Sequence, residues 1–275
     1  MDYSQYTLEK TGYLKEEFRL FHINDRTDQE FSYHYHDFHK IIVFLSGKVT
    51  YHIEGKAYHL KPRDILLVSQ GAIHKPEIDP SVPYERYIFW IRNDLSMQEL
   101  NTCFQKATDH SFNLVRIDSA VQEHLRDLLR ELENSIKNQD FGDEILSNAL
   151  FTQFMVYVNR IFLQTSAIPD RRSYSSDSQV EQLLKYINRN LTEDLSIDRL
   201  SEKFFFSKYH MMRKFKNETG YTIHNYITSK RLLLARSLIN EGTPVMKAAQ
   251  MSGFNDYTTF VRSYKKQFGN APSHV

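Results

Sequence analysis

The spacing of apolar residues divides this chain into regions of different texture. From Phe18 to Arg92 they come in short alternating or continuous runs, which predict strands at Phe18–Ile23, His39–Leu45, Lys48–Ile53, Ala57–Leu60, Asp64–Ser69, Ile73–Ile78 and Tyr84–Ile91. Ser46-Gly47, Glu54-Gly55-Lys56 and Lys61-Pro62-Arg63-Asp64 supply turn chemistry between them. Many short strands at regular spacing predict a small β-barrel or sandwich. The period then lengthens. Val121, Leu125, Leu128, Leu129, Leu132 and Ile136 mark an amphipathic helix over Asp118–Lys137, and Leu146, Leu150, Phe154, Val158 and Ile161 mark another over Phe141–Leu163. Such wide stripes need a cover, either the chain's own β domain or a second copy of the chain.

A polar stretch poor in periodic apolar residues, Gln164 to Ser178, reads as a linker. It predicts one domain over 1–165, a linker over 166–178 and a second domain over 179–275.

In that second domain one pattern occurs twice. The first copy runs from Ile197 through Phe206, Arg213, Phe215 and Lys216 to Gly220, and the second from Val245 through Phe254, Arg262, Tyr264 and Lys265 to Gly269. Arg213 to Arg262, Phe215 to Tyr264 and Gly220 to Gly269 each differ by 49 residues, whereas Ile197 to Val245 differ by 48, so the second turn holds one extra residue. Each copy predicts a short helix, a tight turn and a longer helix. Ser207 and Asp256 suit the N-caps of the longer helices. Met211 and Phe215 face inward in the first, as do Phe260 and Tyr264 in the second. Tyr209, Met212, Arg213 and Lys216, then Thr258, Val261, Arg262 and Lys265, are left facing outward. An arginine can bond a guanine edge bidentately and a lysine can neutralise phosphate. Charge strengthens this reading. Residues 207–275 carry 11 Lys+Arg against 3 Asp+Glu, and residues 1–176 carry 20 against 25, so a net charge of +1 hides a basic end on an acidic body.

Between the copies, Ile223, Tyr226, Ile227, Leu234 and Leu238 keep helical spacing, with Thr222 as a cap and Gly242-Thr-Pro244 as a stop. A helix of about 18 residues spans about 27 Å, enough to set two reading helices about one DNA turn (~34 Å) apart. With Ala235, Gly253-Phe254, the Arg-x-Phe/Tyr-Lys steps at Arg213 and Arg262, and Pro272, residues 180–273 resemble the DNA-binding domain of AraC/XylS transcription regulators. The resemblance implies base contacts at Tyr209, Met212 and Arg213 and at Tyr257, Thr258, Val261 and Arg262. It also implies double-stranded DNA half-sites, a homodimer and RNA polymerase as partners. Phe205 stands where that family commonly has glycine, which predicts a looser first turn.

The β region carries His34-Tyr-His36, Lys40, Leu45-Ser-Gly47, Gly55, Pro62-Arg-Asp64 and Gly71-Ala-Ile-His74, in an order that resembles a cupin, in particular the sensor domain of AraC-type regulators. The fold class expected is therefore multidomain α and β: a cupin-like β-barrel plus helices, then an all-α tandem helix-turn-helix domain. His34, His36 and His74 match three cupin metal-ligand positions, but Lys40 stands about where a metal-binding cupin places a glutamate. The reading is no metal and no cofactor, with His34, His36, Lys40, His74 and Trp90 binding a sugar or other polar metabolite instead. The alternative is a metal-dependent cupin enzyme fused to a DNA-binding domain.

Composition adds little. A lone Cys103 excludes an internal disulfide and suits a buried small hydrophobe. The stretch Met1-Asp-Tyr-Ser-Gln lacks the basic and apolar regions of a secretion signal, which predicts a cytoplasmic address. No nucleophile–base pair or phosphate-binding glycine loop is present, so no enzyme activity is expected beyond the cupin alternative.

Overall fold

The computed structural model describes residue 14 and residues 16–28, 30–109, 112–116, 119–138, 140–164 and 174–274. All seven predicted strands form: β1 Phe18–Asp25, β2 His39–Ser46, β3 Val49–Ile53, β4 Lys56–His59, β5 Asp64–Val68, β6 His74–Ile78 and β7 Tyr84–Ile91. They make two antiparallel sheets, ordered β1-β7-β2-β5-β8 and β6-β3-β4-β9, where β8 is Leu114–Arg116 and β9 is Tyr174–Ser176. Ile42, Phe44, Tyr51, Ile53, Tyr58 and Leu66 fill the interior. The opposite face of β2 and β7, with Ile41, Val43, Phe89 and Ile91, is covered by helices, which is why β2 reads as a continuous apolar run.

That cover is α1 Thr102–Asp109, α2 Ser119–Asn138 and α3 Asp143–Leu163. Leu125, Leu128, Leu129 and Leu132 of α2 and Leu150, Phe154 and Val158 of α3 join this sheet's core. The expected stripes thus pack on their own domain. Among the described side chains two members do not: Leu146 and Ile136 are exposed, beside Phe141 and Ile145, while the side chain of Val121 lies outside the described ones. Buried Cys103 sits on α1 in the same core, and burial pushes its thiol up to about 12. Among the described residues no helix is long and apolar enough to cross a membrane.

The linker expectation over 166–178 needs correction at its far end. Tyr174–Ser176 pairs antiparallel with β4, and Asp177 caps α4 (Ser178–Arg189) by accepting from the amides of Gln179 and Val180. A backbone-paired strand of three residues leaves no alternation to read in sequence. Residues 165–173 lie outside the described ones.

The C-terminal domain follows the prediction closely. Its elements are α5 Ile197–Phe204, α6 Lys208–Thr219, α7 Ile223–Asn240, α8 Val245–Met251 and α9 Tyr257–Phe268. Ser207, Thr222 and Asp256 each accept a backbone N–H as N-caps. The two turns share one hydrogen-bond scheme. Phe205 N–H reaches Glu202 O and Phe206 N–H reaches Ser201 O, as Gly253 reaches Gln250 and Phe254 reaches Ala249. The first turn is therefore not looser. Phe205 takes the left-handed conformation (φ 54°) that Gly253 takes at φ 90°. The extra residue of the second copy is Asn255, between this turn and the Asp256 cap.

Candidate nucleic-acid interface and sensor site

On α6, Met211 and Phe215 are buried beneath Tyr226, while Tyr209, Met212, Arg213 and Lys216 face solvent. The Arg213 guanidinium lies 5.8 Å from the Tyr209 ring centroid, a contact that restrains the arginine on the exposed face. On α9, Phe260 and Tyr264 are buried, and Tyr257, Thr258, Arg262 and Lys265 are exposed. Val261 departs from expectation. It is half-buried and packs against the cluster of Phe260, Tyr264, Leu232 and Ala235, because the second unit's small core draws in an apolar side chain at its edge. Phe205, read in the sequence only as a turn residue, is 95% exposed just before α6.

The sensor residues converge. The backbones of His34 and His74 exchange two hydrogen bonds (3.0 and 2.9 Å), Lys40 lies on β2 opposite Trp90 on β7, and His36 stacks on Phe38, which stacks on Trp90 at 4.7 Å. Ligating nitrogens of His34, His36 and His74 lie within 4.8 Å of one another. His34 donates from Nδ1 to Ser32 O (2.9 Å) and His74 from Nδ1 to Ala72 O (2.8 Å), so both present Nε2 as a lone pair. Lys40 Nζ sits 3.4 Å from His74 Nε2.

Burial pulls Lys40 down to about 7. It also lowers His34, and it holds His74 well below the usual imidazole value with help from Lys40's charge. Imidazole lone pairs beside an amine can meet the hydroxyls of a polar ligand. Three such nitrogens, two of them fixed by carbonyls behind, are also a donor set for a divalent cation. His52 and His59 stay outside, bonded to Glu77 and Thr50 on the sheet surface.

The two sites meet through the residues between them. Tyr33, next to His34, donates to Glu218 O at 3.1 Å and accepts at its carbonyl from Tyr221 Oη at 2.5 Å. Glu54 of the β3–β4 turn accepts from Lys230 Nζ at 2.7 Å and from Tyr226 Oη, and Asp37 pairs with Arg236 at 3.2 Å. Gly220 lies against Tyr33, and a Cβ there would fall 2.2 Å from the ring. Ile73 of the sensor is part of the core of α4–α7.

Residues 19–155 match the model of an AraC-like ligand binding domain, and residues 200–275 match a helix-turn-helix domain model. The chain belongs to the AraC/XylS family. The HTH-type transcriptional activator RhaS of Citrobacter koseri is 22% identical over 248 residues, 89% of this chain and 87% of RhaS. RhaS of Escherichia coli is 22% identical over 249 residues, 90% and 87% of the two chains. Among solved structures, ToxT from Vibrio cholerae O395 aligns with 94% of this chain and 97% of its own at 16% identity and a TM-score of 0.38. The C-terminal domain of the response regulator AraT from Geobacillus stearothermophilus covers 36% of this chain and 83% of its own at 23% identity and a TM-score of 0.35. As an AraC/XylS member, the protein is a DNA-binding transcription regulator whose N-terminal domain binds a small-molecule effector.

Proposed function

We propose that this regulator binds paired promoter half-sites as a homodimer in the cytoplasm, engages RNA polymerase there, and has no enzyme activity. In this reading α6 and α9 read bases through Tyr209, Met212, Arg213, Tyr257, Thr258 and Arg262, with Val261 at the margin. Lys216 and Lys265 hold phosphates. A sugar or other polar metabolite is held by His34, His36, Lys40, His74 and Trp90. The observation that carries the reading is the division of α6 and α9 into a buried aromatic face and an exposed face bearing Arg213 and Arg262. The relatives named as activators support activation as the outcome.

Arg213→Ala should weaken specific binding by about 1–3 kcal/mol and relax choice at one base position. Lys216→Ala should weaken all sequences alike and flatten the salt slope by about one unit. Titrating operator and scrambled duplexes with both variants checks this, and a uniform loss in Arg213→Ala would remove it as a base reader.

The histidine geometry favours one second reading, a divalent metal held by His34, His36 and His74 with Lys40 as neutral amine. Elemental analysis of purified protein tests it. Stoichiometric zinc or iron would support that reading, and none would leave the organic ligand.

A further inference from the structure

A cleft of about 710 Å³ opens between the sensor and α7, and none of its described lining residues is a histidine of the cluster. The sensor contributes Asn93, Gln98, Asn101 and Gln105, and α7 contributes Arg236, Ser237 and Asn240. We propose that this cleft is a second binding site, one for a neutral polyhydroxylated molecule such as a sugar or polyol, which bridges the two domains. The proposal rests on the effector-controlled reading above and adds a site that reading does not include.

Charge decides the ligand class. Both arginines of the cleft are already paired, Arg236 with Asp37 at 3.2 Å and Arg92 with Asp94 at 2.5 Å. Glu241 accepts from Ser237 Oγ at 2.9 Å. Among the described lining residues no cation is left over for a phosphate or carboxylate. Amides dominate what remains, and an amide both donates and accepts, as a hydroxyl does. Gln98 and Gln105 on the sensor and Asn240 on α7 offer exposed amides from opposite walls. Asn101, only 7% exposed, donates from Nδ2 to Asn93 O at 2.8 Å while its Oδ1 has no hydrogen-bond partner among the described residues. A buried acceptor left so is costly, and Asn101 borders the cleft.

Size and position agree. The volume falls within the roughly 300–1,000 Å³ of small-molecule sites. Phe38 lines the cleft and stacks on His36 and Trp90, so the cleft and the histidine cluster share a wall. A molecule bonded to both walls favours the docked arrangement of the domains over any other, which is the differential affinity that coupling requires.

The test is calorimetry and thermal shift on the full chain with a panel of neutral hexoses, deoxyhexoses, pentoses and polyols, each beside its phosphorylated or uronic acid counterpart. At least one neutral member should bind and raise the melting temperature, with its anionic counterpart about 10-fold weaker. Gln105→Ala/Asn240→Ala should weaken that ligand about 10-fold, the loss of two hydrogen bonds, and circular dichroism checks that the double variant is folded. With sites at both the cleft and the histidine cluster, the double variant should weaken one binding step and His74→Ala the other. No binding by any neutral member, a preference for the anions, or an unaltered affinity in the folded double variant would each overturn the proposal. Binding lost only in His74→Ala would place the sugar in the histidine cluster, removing the cleft while leaving the regulator reading intact. Operator titration of Arg213→Ala probes that reading separately.

Discussion

Burying a lysine amine among imidazoles carries a free-energy cost, and at Lys40 no carboxylate offsets it, since burial alone pulls its value down to about 7. Between about 7 and 10.5 the unfolded chain binds a proton that the folded chain does not, so stability rises with pH through that window. Lys40→Met should therefore be more stable than the parent at neutral pH and should lose this slope. Urea unfolding at pH 7 and 9.5 checks both. His39 works at the acid end. Fully buried against Phe104, it is lowered to about 4, so stability should fall as pH drops from about 6.5 towards 4, and a flat acid limb would contradict its burial as a neutral ring. Phe205 stores strain of a different kind. With φ at 54° and its ring in solvent, Phe205→Gly should stabilise by about 0.5–1 kcal/mol in chemical denaturation, since relief of the left-handed conformation outweighs glycine's extra unfolded entropy. At this scale the reading faces were legible in sequence because core and surface positions alternate with helical period. Val261 was not, because burial at the edge of a small core depends on neighbours far along the chain.

Helix α7 shows what the sequence specifies at the scale of elements. Thr222 accepts from Asn225 N–H at 3.2 Å, and Thr222→Ala should cost about 1 kcal/mol in unfolding experiments. The helix runs 18 residues, as the cap, the apolar spacing and the Gly242-Thr-Pro244 stop predict. Strands β1–β7 were equally legible, each set off by turn residues. Some elements escaped, α4 among them, although Val180, Leu183, Leu184 and Ile187 keep helical spacing behind the Asp177 cap. The α1 turn region carries Leu100, Cys103, Phe104 and Ala107 at helical spacing over a span too short to separate from a loop. β8 and β9 are three residues each and exist because a neighbouring edge pairs with them.

Across the whole molecule the two domains share more surface than an open linker implies. The β3–β4 turn carries Glu54 onto Lys230 and Tyr226 of α7, in a pair that is largely buried. Glu54→Gln leaves Lys230 without its carboxylate. It should destabilise the protein by about 2 kcal/mol or more and raise hydrogen exchange in α7, whereas an unchanged exchange rate would mean that the apolar contacts alone hold the domains. Sequence could not reveal this docking, because Tyr33, Asp37 and Glu54 look like ordinary loop and turn residues until α7 is placed beside them.

Strand β9 changes how the DNA-binding domain can be transplanted. A cassette cut at Ser178 would leave behind Asp177, which caps α4 and pairs with Lys214 at 2.8 Å, together with the backbone stitched to β4. It would also expose the core around Leu184 and Phe215 where Ile73 now sits. Anyone grafting this reader onto a foreign sensor must supply an open sheet edge and an isoleucine-sized plug, or redesign the seam.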